Sequence, residues 1–145
     1  MRILESTLHA LVNGSPAAPP EVGGLLGGHD GVVDTLVFDP SADPGPGNRY
    51  SPHTDRLNRV LIDWHGAGVD FIGIFHTHFP FGYGLSPEDE GYIARILTAM
   101  PPSVVELHFP VVIPGHGAAC FRAMRVLDAF HIEEDAIIPV QHERR

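Results

Sequence analysis

The spacing of apolar and polar positions changes along the chain, and each change predicts an element. Ile3, Leu4, Leu8, Leu11 and Val12 recur at helical spacing, which predicts an amphipathic helix over 3–12, ended by Asn13-Gly14. A Pro/Ala linker over 15–20 leads into Glu21-Val22-Gly23-Gly24-Leu25-Leu26-Gly27-Gly28. This short apolar run crowded with glycines reads as a strand that another backbone approaches closely. His29-Asp30-Gly31 is a hairpin signal, and 32–38 returns as a second strand. Three prolines and two glycines make 39–48 a loop. Leu57, Val60, Leu61 and Trp64 share one face of a helix expected over 54–65, with Thr54 as N-cap and Gly66 and Gly68 beyond its end. The run 69–75 is the central strand. A helix follows over 87–99, with Ile93, Ile96 and Leu97 apolar, and Pro101-Pro102 stops it. The β-rich stretch 104–113 is a strand that Pro110 places at an edge or a bulge. Two further strands are expected over 118–126 and 136–140, connected through 128–135.

Helices mixed with strands and hairpin signals predict an α/β (α+β) fold whose sheet is mixed rather than wholly parallel. With 145 residues, of which 43% are hydrophobic, the expectation is one domain over 1–145 with a proper core. The formal charge of −9 and the lack of a basic cluster argue against a nucleic-acid partner. Arg144-Arg145 reads as a solvated tail. A single cysteine, Cys120, excludes an intrachain disulfide and a cysteine zinc knuckle, and suits a cytoplasmic location. No signal peptide or membrane-spanning run is expected.

The chemistry concentrates at Ile72-Gly73-Ile74-Phe75-His76-Thr77-His78, followed by a seven-residue loop and Ser86-Pro87-Glu88-Asp89. Side chains alternate along a strand, so His76 and His78 point to one face and can hold one metal ion. Ser86 is a helix N-cap and Pro87 the first helical residue, which puts Asp89 in the first turn, able to face the strand end. Two imidazoles and a carboxylate leave a fourth tetrahedral position open, the composition of a catalytic rather than a structural zinc site. Taken singly, the halves have plainer readings. Ten histidines make close pairs common, and Ser86-x-x-Asp89 is also a capping box. Joined at this spacing after an apolar strand, they point to a site.

Glu21, His76-Thr77-His78, seven residues, Ser86, two residues and Asp89 together resemble the JAMM signature of the JAB/MPN metalloproteases. The resemblance spans about two-thirds of the chain, from Ala17 to Gly115. The family's loop after His-x-His commonly begins with proline, whereas Phe79 here precedes Pro80.

The resemblance implies a cytidine-deaminase-like JAB/MPN fold, a mixed sheet flanked by helices. It implies one zinc ion on His76, His78 and Asp89, and cleavage of peptide or isopeptide bonds. The substrate is often the C-terminal tail of ubiquitin or a ubiquitin-like protein. Glu21 would then act as general base and acid, and Ser86 would hydrogen-bond the oxyanion. Alternatively Glu21 is only an exposed strand-start residue, and Ser86 only a cap. Phe81 and Tyr83 are candidate substrate contacts, weighed evenly against simple packing. A ubiquitin-like tail would add as a strand at a sheet edge near the metal.

The remaining histidines (His9, His29, His53, His65, His108, His116, His131 and His142) read as surface or packing residues, and Cys120 as a small buried one. Metallo-β-lactamases need further metal ligands where 79–81 is Phe-Pro-Phe. Amidohydrolases need a longer barrel, and cytidine deaminases need paired cysteines. A non-catalytic MPN scaffold and a peptidase for an unrelated peptide remain the alternatives.

Overall fold

A computed structural model describes residues 1–17, 20–42, 49–79, 82–127 and 129–141. Among them the order is β1 (Arg2–Leu4), α1 (Glu5–Gly14), β2 (Gly23–His29), β3 (Val32–Asp39), α2 (Thr54–Ala67), β4 (Asp70–Thr77), α3 (Pro87–Ala99), β5 (Glu106–Ile113), β6 (Gly117–Val126), β7 (Ala129–Asp135) and β8 (Ile138–Val140). The architecture is a mixed α+β fold. Eight strands form one sheet in the order β7-β6-β5-β4-β2-β3-β1-β8, and three helices pack against it.

The β2–β3 hairpin turns at Asp30 and Gly31, both with positive φ, as the His-Asp-Gly signal predicts. β4 lies antiparallel to β2 and parallel to β5, so the strand carrying His76 has a neighbour on each side. β7 and β8 stand at opposite ends of the sheet order, yet only Ala136 and Ile137 separate them in sequence. The sheet therefore curls until its two edges nearly meet.

Alternation along the strands divides the core into two. Leu25, Ile74, Leu107, Phe109 and Ala123 pack with Leu57 and Trp64 of α2 and with Ile93 and Leu97 of α3. Leu26, Phe75, Val112 and Cys120 pack with Leu11 of α1 and with Met1 and Ile3. Neighbouring residues of one strand thus serve opposite layers, as the period-two pleat requires.

Four expectations change. The helix expected from Ile3 begins at Glu5, because Arg2 and Ile3 pair in parallel with Val32 and Val33, and Ile3 is fully buried there. Helical spacing in so short a segment did not exclude a strand. The N-cap of α2 is His53 rather than Thr54, and Gly66 lies inside the helix. Gly68, in the left-handed conformation, closes it. The segment after Asp128 is strand β7, paired along its length with β6. Pro110 sits in an interior strand, where its partner on β6 is Cys120 and the paired β5 positions on the β4 side, His108 and Val111, flank it. The predicted loop 39–48 falls partly outside the described residues.

Candidate metal centre

The end of β4 is fixed from both sides. Thr77 N–H donates to Val22 O at 2.8 Å, and Val22 N–H donates to Thr77 Oγ1 at 2.9 Å. On the other side His78 N–H donates to Val112 O at 2.8 Å. Gly23 stands opposite His76 in the β2–β4 register, and a Cβ on it would come within 2.5 Å of Phe75 O. The absence of that side chain lets the chain entering β2 bring Glu21 up to the histidines.

His76 and Glu21 are buried, and His78 is half-buried just past the strand end. The Nε2 atoms of His76 and His78 lie 2.8 Å apart, their rings inclined at 66°. Asp89 Oδ1 is 3.5 Å from His76 Nε2, and Asp89 Oδ2 is 3.3 Å from His78 Nε2. Ligand atoms of Glu21, His76 and His78 all lie within 4.8 Å of one another. Glu21 is at the strand entrance rather than within β2, and Tyr50 N–H lies 3.4 Å from its Oε2. Its carbonyl accepts from Ser41 Oγ–H at 3.1 Å.

Asp89 is aimed by the capping box. Ser86 N–H donates to Asp89 Oδ2 at 3.0 Å, and Asp89 N–H donates to Ser86 Oγ at 3.1 Å. The cap and the metal-ligand reading therefore coincide, since the bonds that start α3 also turn the Asp89 carboxylate toward the imidazoles. Burial pushes the Asp89 carboxyl up, but His76 and His78 outweigh it and hold the group well below the usual carboxylate range. The bond to Asp89 raises the His78 imidazole against the opposing effect of burial.

A cavity of about 600 Å³ opens over this cluster, lined by Glu21, Arg49, His78, Phe79, Gly82, Gly84, Ser86 and Asp89. A smaller one of about 150 Å³ adjoins it, lined by His76, Tyr50, Tyr92 and Arg95 among others. The five expected metal and catalytic residues are thus brought together. Tyr83 does not line the cavity, and its hydroxyl lies 3.2 Å from where a Cβ on Gly117 would stand. Phe81 lies outside the described residues.

Sequence reasoning missed the polar frame beneath the site. Asp39 is fully buried and accepts from Tyr50 Oη–H at 2.6 Å, His53 N–H at 3.1 Å and Arg56 at 2.9 Å, with His53 Nδ1 at 2.8 Å. His53, expected to be a surface or packing residue, belongs to this network. No motif links Asp39 to residues 50–56, so nothing in the sequence announces it. Tyr50, between Asp39 and Glu21, has a phenol held well above its ordinary range by burial and by Asp39.

No family model matches the chain. No curated protein matches it either. Among solved structures, the chain is similar to a Desulfitobacterium hafniense protein determined in solution, at 21% identity and a TM-score of 0.68, covering 97% of this chain and 93% of that one. It is also similar to a Salinibacter ruber protein, at 18% identity and a TM-score of 0.52, covering 100% of this chain and 99% of that one. At these identities the likeness is one of fold. Among the described residues no helix is long and apolar enough to cross a membrane.

Proposed function

We propose that the chain is a zinc-dependent (iso)peptidase of the JAMM type, with a cytidine-deaminase-like JAB/MPN fold, that cleaves after the C-terminal tail of a ubiquitin-like protein. The observation that carries this reading is the convergence of His76, His78 and Asp89, with Glu21 beside the histidines, at an open cavity that Glu21, His78 and Asp89 line.

The donors suit zinc. Ligands ~2.0–2.1 Å from a tetrahedral zinc stand roughly 3.3 Å from one another. Each imidazole faces a different Asp89 oxygen, His76 Nε2 at 3.5 Å from Oδ1 and His78 Nε2 at 3.3 Å from Oδ2, so a small turn of the carboxylate is needed to offer one oxygen to an ion shared by both rings. The imidazole nitrogens, at 2.8 Å, need to separate by roughly 0.5 Å. His76, His78 and Asp89 would hold the ion, which supplies Lewis acidity and a hydroxide equivalent at neutral pH.

The chain's own groups divide the remaining work. Glu21 takes the proton of the attacking water and delivers it to the nitrogen as the C–N bond breaks. Tyr50 N–H, near its Oε2, keeps the carboxylate turned toward the cavity. Ser86 Oγ accepts the Asp89 N–H through a lone pair, so its own hydrogen is free to turn from the neighbouring Glu88 carboxylate to the developing oxyanion. Capping and oxyanion binding are compatible on one hydroxyl.

A ubiquitin-like tail reaches this site without adding to β4, since β2 and β5 already occupy both its edges. Gly82 and Gly84 in the cavity wall leave room for a narrow, side-chain-poor peptide.

The test is a cleavage assay on a panel of ubiquitin-like fusions and isopeptide conjugates, with wild type and Glu21→Gln run with and without chelator. Cleavage after a Gly-Gly tail that disappears in Glu21→Gln and with chelator is expected. No turnover across the panel by a zinc-loaded chain would overturn the substrate assignment, and turnover that survives Glu21→Gln would overturn the mechanism.

A further inference from the structure

A second group of metal-ligating side chains lies outside the cavity. His108 is on β5, Cys120 on β6 and Asp135 on β7, three adjacent strands. Cys120 and Asp135 are direct partners in the β6–β7 register. His108 pairs with Arg122, two residues from Cys120, so His108 and Cys120 share a face of the sheet. One ligand atom from each of the three lies within 4.8 Å of the other two. Ligands carried on paired strands are held more firmly than ligands on loops.

The histidine is also oriented for such a role. Its Nε2 stands 3.1 Å from Glu106 Oε1, and its Nδ1 stands 2.9 Å from Asp135 Oδ2. Glu106 can accept the Nε2–H, which leaves the Nδ1 lone pair facing Asp135. A carboxylate behind a ligating histidine commonly fixes its tautomer in this way. With that tautomer a proton or a cation must sit between Nδ1 and Asp135, whose Oδ2 also accepts from the Met1 amine.

We propose that His108 Nδ1, Cys120 Sγ and the Asp135 carboxylate form a second cation site, of zinc type, that clips β5, β6 and β7 together near the closure of the curled sheet. Zinc accepts all three ligand types. Binding exchanges the thiol proton of Cys120 for the metal, and the proton leaves to solvent. Cys120 is 2% exposed, so it is closed to a substrate and unsuited to act as a nucleophile. His108 and Asp135 keep 17% and 18% of their side-chain surface, which gives an ion a route in. Burial pushes the Cys120 thiol up to about 12, and a cation must displace that proton. The competing role is a polar anchor, since Asp135 Oδ2 also accepts from the Met1 amine at 2.7 Å and Met1 Sδ lies 4.0 Å from Cys120 Sγ.

Cobalt(II) titration of the full chain separates the two roles, and does so independently of the peptidase reading. Cys120 is the chain's single cysteine, so a near-ultraviolet thiolate-to-cobalt charge-transfer band can arise only there. The band is expected in wild type, is retained in His76→Ala, and is lost in Cys120→Ser. Glu106→Gln should keep the band and weaken cobalt binding at this site by about 10–100-fold. If wild type with excess cobalt shows no band, or shows one only as its folded circular-dichroism signal disappears, Asp135 is an anchor and the site does not exist.

Discussion

Asp39 has no exposed surface, yet it accepts from Tyr50, His53 and Arg56. Arg56 is half exposed, so the carboxylate carries the larger cost if the set is broken. Asp39→Ala leaves the Tyr50 hydroxyl and the His53 N–H without their acceptor and should cost about 3 kcal/mol in urea unfolding. Because the same segment presents Tyr50 N–H to Glu21, turnover should fall as well. On the proposed reading Ser86 has two separable roles. Ser86→Ala should lower stability by about 1 kcal/mol through the lost cap. It should lower kcat by about 10²–10³ through the lost oxyanion donor. Thermal melting reads the first effect and steady-state kinetics the second. A kcat unchanged in the face of a lower melting temperature would leave Ser86 as a cap alone.

At the scale of elements, the approach of β2 to β4 decides whether a site exists. Gly23→Ala puts a methyl group against Phe75 O, a backbone atom that cannot rotate away, and against the Tyr50 ring. A cost of about 1–3 kcal/mol is expected, with loss of activity because Glu21 is displaced. Gly82→Ala meets nothing within 4 Å and should leave the fold unchanged, so comparing the two melting temperatures isolates the close approach. Much of this was legible beforehand. The glycine-crowded run, the hairpin turn, β4 and α3 were all anticipated, because turn chemistry, period-two alternation and capping are local rules. β1 and β7 were not. Arg2–Leu4 is three residues long and takes its conformation from β3 and β8. Pro110 reads locally as an edge signal, yet the interior ladder holds it because β6 pairs with the whole of β5 and the paired β5 positions on the β4 side flank it.

Across the whole molecule, a curled sheet with a separate core on each face sets the two proposed cation sites apart. His76 and His78 close one end of β4, and His108, Cys120 and Asp135 span β5 to β7. Zinc that binds only the folded chain should raise its stability by about 2.7 kcal/mol per site at a concentration of a hundred times Kd. In thermal melts, His76→Ala should lose the part of this shift due to the candidate peptidase centre. Cys120→Ser should lose the rest, and chelator should remove both. An identical zinc shift in His76→Ala and wild type would mean that the histidine pair does not hold the ion.

The amino-acid sequence by itself determined which groups could carry chemistry and how neighbours among them are related. His76 and His78 share a face because strands alternate, and Asp89 turns back because Ser86 caps the helix. Both are consequences of backbone geometry over fewer than ten residues. The tertiary structure alone decided that Glu21 meets them, through a strand pairing in which Val22 and Thr77 bond across 55 residues. It alone decided that Asp39 gathers Tyr50, His53 and Arg56 beneath the site, and that Cys120 finds His108 and Asp135 across two ladders. Those meetings depend on which strands become neighbours. That choice is made by burying both faces of one sheet at once, and no local spacing encodes it.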